Sequence, residues 1–292
     1  MKLEEKKIMP PPWLVYPEIE RYSIGWRMGY GEDYIYKFWN WLDTLTSDEL
    51  AEYRSLFPEP ITWKGWWDDE DISEVLEHGD FWVNAWQSEG HPKYTRQWLQ
   101  QEVAAGQKRE LLLFWGHQRS KDGCITKSCL SQWWMENFWS IANTYLCMEQ
   151  YMMACKAELF GDREIREQIL KCCDPKQMKA LGRKVREFDQ VVWDKFKYSI
   201  VLNGNWNKFS QNRSLRDFLL STGDSILVEA SPYDNIWGIR LSADSPEAND
   251  PQKWRGQNLL GFALMEVRDE LRRITKNETL CDWDSVNSGE TL

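Results

Sequence analysis

The chain has 292 residues, of which 42% are hydrophobic and 28% charged, a globular composition that excludes a disordered or fibrous protein. No apolar run approaches the ~18 residues of a membrane span, and the charged start Met1 to Lys7, followed by Pro10-Pro11-Pro12, lacks the apolar core of a secretory signal. A net charge of −10 excludes a bulk nucleic-acid binder of the basic kind, and seven cysteines without a CxxC pair predict reduced thiols in a cytoplasmic setting rather than a disulfide framework.

In chain order, residues 1–12 read as a flexible, extended leader because of the three prolines. Thr46-Ser47-Asp48-Glu49 is a capping box, predicting a helix that stops before Pro58. Thr62 to Trp67 is aromatic and short, a strand or a loop. Seven acids then crowd into Asp68 to Asp80, with Gly79 as a helix stop. Residues 94–105 read as a helix ended by Gly106. The boundary falls at 106–110, so residues 1–110 form an acidic region holding 12 Lys+Arg against 21 Asp+Glu. Ten of the nineteen tryptophans lie before residue 100, either as core filler or as stacking platforms.

Leu111 to Trp115 reads as a buried strand. Thr144 to Phe160 is a helix stopped by Gly161, with Tyr145, Met148, Met152, Cys155 and Leu159 on one stripe. Asp162 caps the next helix, and Asp174-Pro175 opens a short one that Gly182 stops. Val185, Phe188, Val192 and Phe196 mark a longer helix, and Asn212 to Leu220 another, with Gly223 after it. Ser225 to Ala230 and Ile236 to Leu241 read as strands, Asn258 to Arg273 as the last long helix, and 276–292 as a loose polar tail. The fold class is α+β, mainly α-helical, with a few short strands and a main domain at 111–275. Residues 156–216 hold 14 basic against 8 acidic side chains, a solvated helix pair or a local phosphate-holding surface.

Walker, HExxH, GxSxG and dinucleotide patterns are absent, and three scattered histidines (His78, His91, His117) make no zinc site. Carboxylates, lysines and aromatic rings are left to do chemistry. Glu149 and Lys156 stand seven apart on one predicted helix, on the same side and ~10 Å apart along the axis, with Met153 between them. They could approach one ligand from two sides, or be an ordinary solvated pair. In Glu229 to Gly238, Asp234 could hold a sugar hydroxyl or move a proton, and Trp237 could cover a planar ring. The plainer reading is a turn capped by Asp234 with Trp237 in the core. Arg255-Gly256 before the last helix suits an anion, and Gly116 between Trp115 and His117 admits a ligand close to the backbone.

Taken in order, these pieces resemble the NADAR family, relatives of the riboflavin-intermediate N-glycosidases, over residues 111–273. The likeness rests on Phe114-Trp115-Gly116-His117, Cys129-Leu130-Ser131-Gln132-Trp133-Trp134, and Glu149-Gln150-Tyr151-Met152-Met153-Ala154 with Lys156-Ala157. It continues through Leu159-Phe160-Gly161-Asp162, Leu181-Gly182-Arg183, Lys208-Phe209, Glu229-Ala230-Ser231-Pro232, Asp234, Ile236-Trp237-Gly238, Trp254-Arg255-Gly256 and Asn258-Leu259-Leu260-Gly261. The resemblance implies cleavage of an N-glycosidic bond without a cofactor or metal. The substrate would be ADP-ribose on a guanine base in nucleic acid, or a ribosylamino-pyrimidine phosphate of riboflavin synthesis. A non-catalytic ADP-ribose or NAD sensor is a further alternative. The resemblance also implies Lys156, Glu149 and Asp234 as catalytic residues, with Lys156 attacking the anomeric carbon to form a Schiff base; the rival mechanism has a carboxylate activate water while Lys156 only binds phosphate. Trp115, Gly116, Ser131, Trp133, Arg183, Trp237, Arg255 and Asn258 are the implied substrate-binding set. An attacking amine must be neutral, and apolar Met152, Met153 and Phe160 are neighbours that could desolvate Lys156. One departure is Leu130-Ser131-Gln132-Trp133, where relatives often carry Leu-Ser-Asn-Phe.

Overall fold

In the computed structural model, which describes residues 7–68, 92–140 and 142–287, the chain forms two units. One unit combines Met1–Val75 with Glu270–Leu292, and the other is Leu76–Asp269.

The first unit begins with α1 (Pro12–Val15), where Pro12 fills a first-turn position that has no helical use for an N–H. Helices α2 (Tyr30–Leu42) and α3 (Ser47–Leu56) follow. The capping box forms as its residues predict: Glu49 N donates to Thr46 Oγ1 at 3.3 Å, and Thr46 N donates to Glu49 Oε2 at 2.8 Å. Thr62 to Trp67 is a 3-10 turn at Ile61–Trp63 followed by further turns, so the loop reading holds. The acidic run beyond Asp68, including Gly79, lies outside the described residues.

The described part of the leader, residues 7–12, is held in place rather than loose. Residues 8–12 are buried, and Tyr53 and Tyr34 donate their hydroxyls to Met9 O and Pro10 O at 2.8 and 2.5 Å. Ile8 bridges in parallel to buried Cys281, and Asp282 N donates to Ile8 O at 2.7 Å. The same contacts anchor the described part of the tail, which was expected to be loose. Prolines without N–H donors suit this role, since their carbonyls still accept. Tryptophans fill this unit: buried Trp13 meets Trp63 and Trp67 edge-on at 5.5 and 5.6 Å, and Trp26 meets Trp63 at 5.5 Å.

The second unit opens with α4 (Arg96–Ala104), capped by Thr95 and followed by Gly106 at φ 80°. Strand β1 (Leu111–Phe114) forms where a buried strand is expected, but only Phe114 is buried, Leu111 to Leu113 are half-buried, and Trp115 lies beyond its end. Strands β2 (Phe138–Ser140) and β3 (Asn143–Tyr145) pair antiparallel, Phe138 opposite Tyr145. Thr144 and Tyr145 were expected in the following helix. As β-branched and aromatic residues they take the hairpin instead, and α5 runs only over Met148–Leu159. Helices α6 (Arg163–Lys171) and α7 (Pro175–Gly182) start at Asp162 and Asp174, both of which cap as predicted. Helix α8 (Gln190–Gln211) begins later than the periodicity of Val185 and Phe188 suggests. Glu187 sits at φ 52°, outside helical geometry, and Asp189 then caps α8 through Val191 N and Val192 N.

Helix α9 (Arg213–Ser221) is followed by Gly223 at φ 58°. Strand β4 (Ile226–Glu229) pairs parallel with β1, placing Phe114 opposite Glu229. Ile236 to Leu241 is a loop and not the expected strand. Its backbone groups bond irregularly, Ile239 N to Glu229 O at 2.9 Å and Arg255 N to Ile239 O at 3.0 Å. Helix α10 (Leu259–Thr275) lies directly on β4: a Cβ at Gly261 would collide with Leu227 O. A last short helix, α11, spans Asp284–Asn287. The architecture is mainly α-helical α+β, with α5 packed against α6, α7 and α8. Among the described residues, no helix is long and apolar enough to cross a membrane.

Candidate active site

Helix α5 starts without a side-chain cap, because Cys147 supplies none. The N–H of Glu149 is taken instead by Gln132 O at 2.9 Å. The Glu149 side chain turns inward and is 2% exposed. Its Oε2 accepts from Trp133 Nε1 at 3.0 Å, while Oε1 is buried with no hydrogen-bond partner. Burial pushes its pKa up to about 7, with Asp234 adding to the rise and Lys179, the Trp133 bond and Arg183 opposing it. A carboxyl that exchanges its proton near neutrality suits general acid–base work.

Asp234 faces Glu149 from the loop after β4. Its Oδ1 closes the turn by accepting from Ile236 N and Trp237 N at 2.9 and 2.8 Å. Its Oδ2 lies 4.0 Å from Lys179 Nζ. The last residue of β4, Glu229, holds a buried Oε2 without a partner. Burial, then Asp234, pushes its pKa up to about 8, against the pull of Lys179. Three carboxyls thus share the field of one lysine. Lys179 is not among the residues singled out from sequence, and Glu229 is named there only as the start of a stretch, with no role. Their only signals are position: Glu229 ends a buried strand, and Lys179 stands one helical turn before Arg183.

Lys156, about two turns further along α5, has contacts of its own. Its Nζ donates to Gly182 O at 2.9 Å and lies 4.0 Å above the Phe188 ring and 5.6 Å from the Trp193 ring. Burial, then the charge of Arg183, lowers its pKa, which raises the neutral fraction an amine nucleophile needs. A Cβ at Gly182 would collide with Met153, so α7 ends in direct contact with the stretch of α5 between Glu149 and Lys156. Arg183, exposed at the C-cap of α7, acts electrostatically on both functional groups.

The remaining expected binding residues divide. Ser131 Oγ accepts from Trp133 N at 3.1 Å and so shapes the loop that reaches Glu149. Gly116 has φ 85° and open space where a Cβ would stand. Beside it Trp115 is 53% exposed, its ring 6.3 Å from that of Tyr233, which is 86% exposed. Trp237 is buried, in keeping with the plainer reading of its turn. Asn258 is fully buried, and its amide serves the backbone of β4, accepting from Glu229 N and donating to Leu227 O, both at 2.9 Å. Arg255 is exposed and pairs with Glu247 at 2.7 Å. Among the described residues, no group of three or more His, Cys, Asp or Glu is arranged to hold a metal ion.

Helix α5 thus carries a buried carboxyl of raised pKa and a lysine of lowered pKa, groups of the kind that acid–base and nucleophilic chemistry uses. Residues 113–272 match the NADAR domain, and the chain belongs to the NADAR family. It is 48% identical over 145 residues to N-glycosidase R617 of Acanthamoeba polyphaga mimivirus, a match covering 48% of this chain and 85% of that protein. It is 31% identical over 129 residues to N-glycosidase YbiA of Shigella flexneri, covering 44% of this chain and 72% of that one. It is also 30% identical over 145 residues to a riboflavin biosynthesis protein of Vibrio vulnificus, covering 47% of this chain but 36% of the longer relative.

Proposed function

We propose that this chain is an N-glycosidase that removes ADP-ribose from guanine bases, with Lys156 as nucleophile and Glu149 as acid. The observation that carries the reading is Glu149, a buried carboxyl that accepts from Trp133 and whose pKa burial raises to about 7, in the field of the Asp234–Lys179 pair. The N-glycosidase names of R617 and YbiA support the reaction class.

Neutral Lys156 adds through Nζ to the anomeric carbon while the bond from that carbon to the guanine nitrogen breaks. Glu149 gives its proton to the departing base. The sugar ring then opens, its oxygen taking up a proton as Nζ loses one, and an imine joins Lys156 to the opened ribose. Water adds to the imine carbon, the amine departs, ADP-ribose is released, and the surplus proton on the amine returns to Glu149, leaving Lys156 neutral and Glu149 protonated. Asp234, by its position beside Lys179, is suited to move the ring-oxygen proton. Lys179 and Arg183 supply positive charge for the diphosphate, and the exposed rings of Trp115 and Tyr233 offer faces for the base.

The name of the Vibrio vulnificus relative favours a second reading, in which the substrate is a ribosylamino-pyrimidine phosphate. The discriminating experiment incubates the full chain with an ADP-ribosylated guanosine oligonucleotide and, separately, with the pyrimidine compound, and follows release by mass spectrometry. Release of ADP-ribose from the first supports the proposal. Release only from the second replaces it with the riboflavin reading. Tight ADP-ribose binding with no release from either identifies a sensor.

A further inference from the structure

Lys208, on α8, is 0% exposed, and its ammonium is held by neutral partners. Nζ donates to Cys129 O at 2.6 Å and to Ser131 O at 3.1 Å. These carbonyls flank Leu130 at the end of a 3-10 turn; Ser131 O also accepts from Trp134 N at 3.3 Å, while Cys129 O is taken by Lys208. The residues that follow converge on Glu149. Ser131 Oγ accepts from Trp133 N at 3.1 Å, Gln132 O accepts from Glu149 N at 2.9 Å, and Trp133 Nε1 donates to Glu149 Oε2 at 3.0 Å. One buried cation therefore ties down two carbonyls of a five-residue segment that meets Glu149 at both its backbone and its side chain.

We infer that Lys208 is a positioning residue: through the Cys129 and Ser131 carbonyls it sets the loop that delivers Trp133 to Glu149. The role in the reaction rests on Glu149 being the acid proposed above. The link itself is measured without turnover. Lys208 is faced by Cys129, Cys147 and Glu136, with the Phe209 ring 4.9 Å away, and burial lowers its pKa to about 8. Glu149 is faced by Lys179, Asp234 and Arg183, and interacts with Glu229. The Trp133 bond favours the ionised form of Glu149, so losing it raises the pH at which that carboxyl titrates.

The test follows the Glu149 carboxyl by carbon-13 NMR in the full chain labelled at glutamate carboxyls, with the signal assigned by its loss in Glu149→Gln. Trp133→Phe and Lys208→Met should each move the midpoint up by about 0.7 in pH, the worth of one hydrogen bond. The double variant should move it no further than Trp133→Phe alone. A midpoint unchanged in Lys208→Met, or a shift that adds in full to that of Trp133→Phe, overturns the inference and leaves Lys208 a purely structural cation. Should Lys208→Met not fold, Lys208→Gln, which still donates to one carbonyl, reads the same coupling. If the coupling is found but neither proposed substrate is cleaved, the functional reading falls and the link between Lys208 and Glu149 stands.

Discussion

Replacing Glu149 by Gln should make the chain more stable at alkaline pH while removing its activity. The folded carboxyl titrates at about 7 against an ordinary 4.5. Its folded pKa is raised, so the folded state keeps a proton that the unfolded chain releases. Stability therefore falls as pH climbs from about 4.5 through 7 and levels off above that. At about 1.4 kcal/mol per pH unit, the loss reaches about 3 kcal/mol by pH 8. Gln copies the shape of the neutral acid, can still accept from Trp133 Nε1, and does not ionise. Glu229 carries a similar penalty, and removing the Glu149 charge eases it in the same direction. The assay is thermal denaturation of variant and parent at pH 5, 6, 7 and 8. The midpoints should nearly coincide at pH 5, with the variant several degrees ahead at pH 8. A difference that does not change with pH would refute the reasoning, because Glu149 would then ionise as an ordinary surface acid does.

Other consequences follow from the same contacts. Lys156→Ala should cut base release by about 10³-fold or more, measured by single-turnover mass spectrometry. The parent enzyme should show a bell-shaped pH–rate profile, since it needs Lys156 neutral and Glu149 protonated, and both pKa values are shifted toward each other. Trp115→Ala should raise KM about 10-fold or more, the worth of a lost base-stacking face, with the melting temperature unchanged because the ring is half exposed. Gly261→Ala should cost about 1–3 kcal/mol in urea denaturation, because the added methyl meets Leu227 O and forces α10 off β4. Thr46→Ala should cost about 1 kcal/mol in the same measurement, through loss of the capping box on α3.

Local chemistry was readable in the sequence wherever one or two residues decide a conformation. Thr46 with Glu49, Asp162, and Asp174 with Pro175 start their helices as their side chains dictate, and Gly106 and Gly223 stand at positive φ just past helix ends. The predicted helix over Thr144 to Phe160 puts Glu149 and Lys156 seven apart on one element, and α5 carries both. What failed depends on partners far along the chain. The triple proline is buried in a unit where Ile8 meets Cys281, more than 270 residues away, and no local pattern announces that. The apolar spacing of Val185 and Phe188 imitates a helix, but the positive φ of Glu187 interrupts it. Lys179 drew no notice, and Glu229 and Lys208, named only as parts of matching stretches, drew no role, for a related reason. A single lysine or glutamate looks solvated in sequence, and only tertiary burial turns it into part of a site.

The most direct test of the account is borohydride trapping with an ADP-ribosylated guanosine oligonucleotide, read by intact mass. The account predicts a covalent sugar adduct on the parent chain that is absent from Lys156→Ala. ADP-ribose released without any adduct, together with turnover surviving in Lys156→Ala, would contradict it and assign the bond cleavage to water activated by a carboxylate.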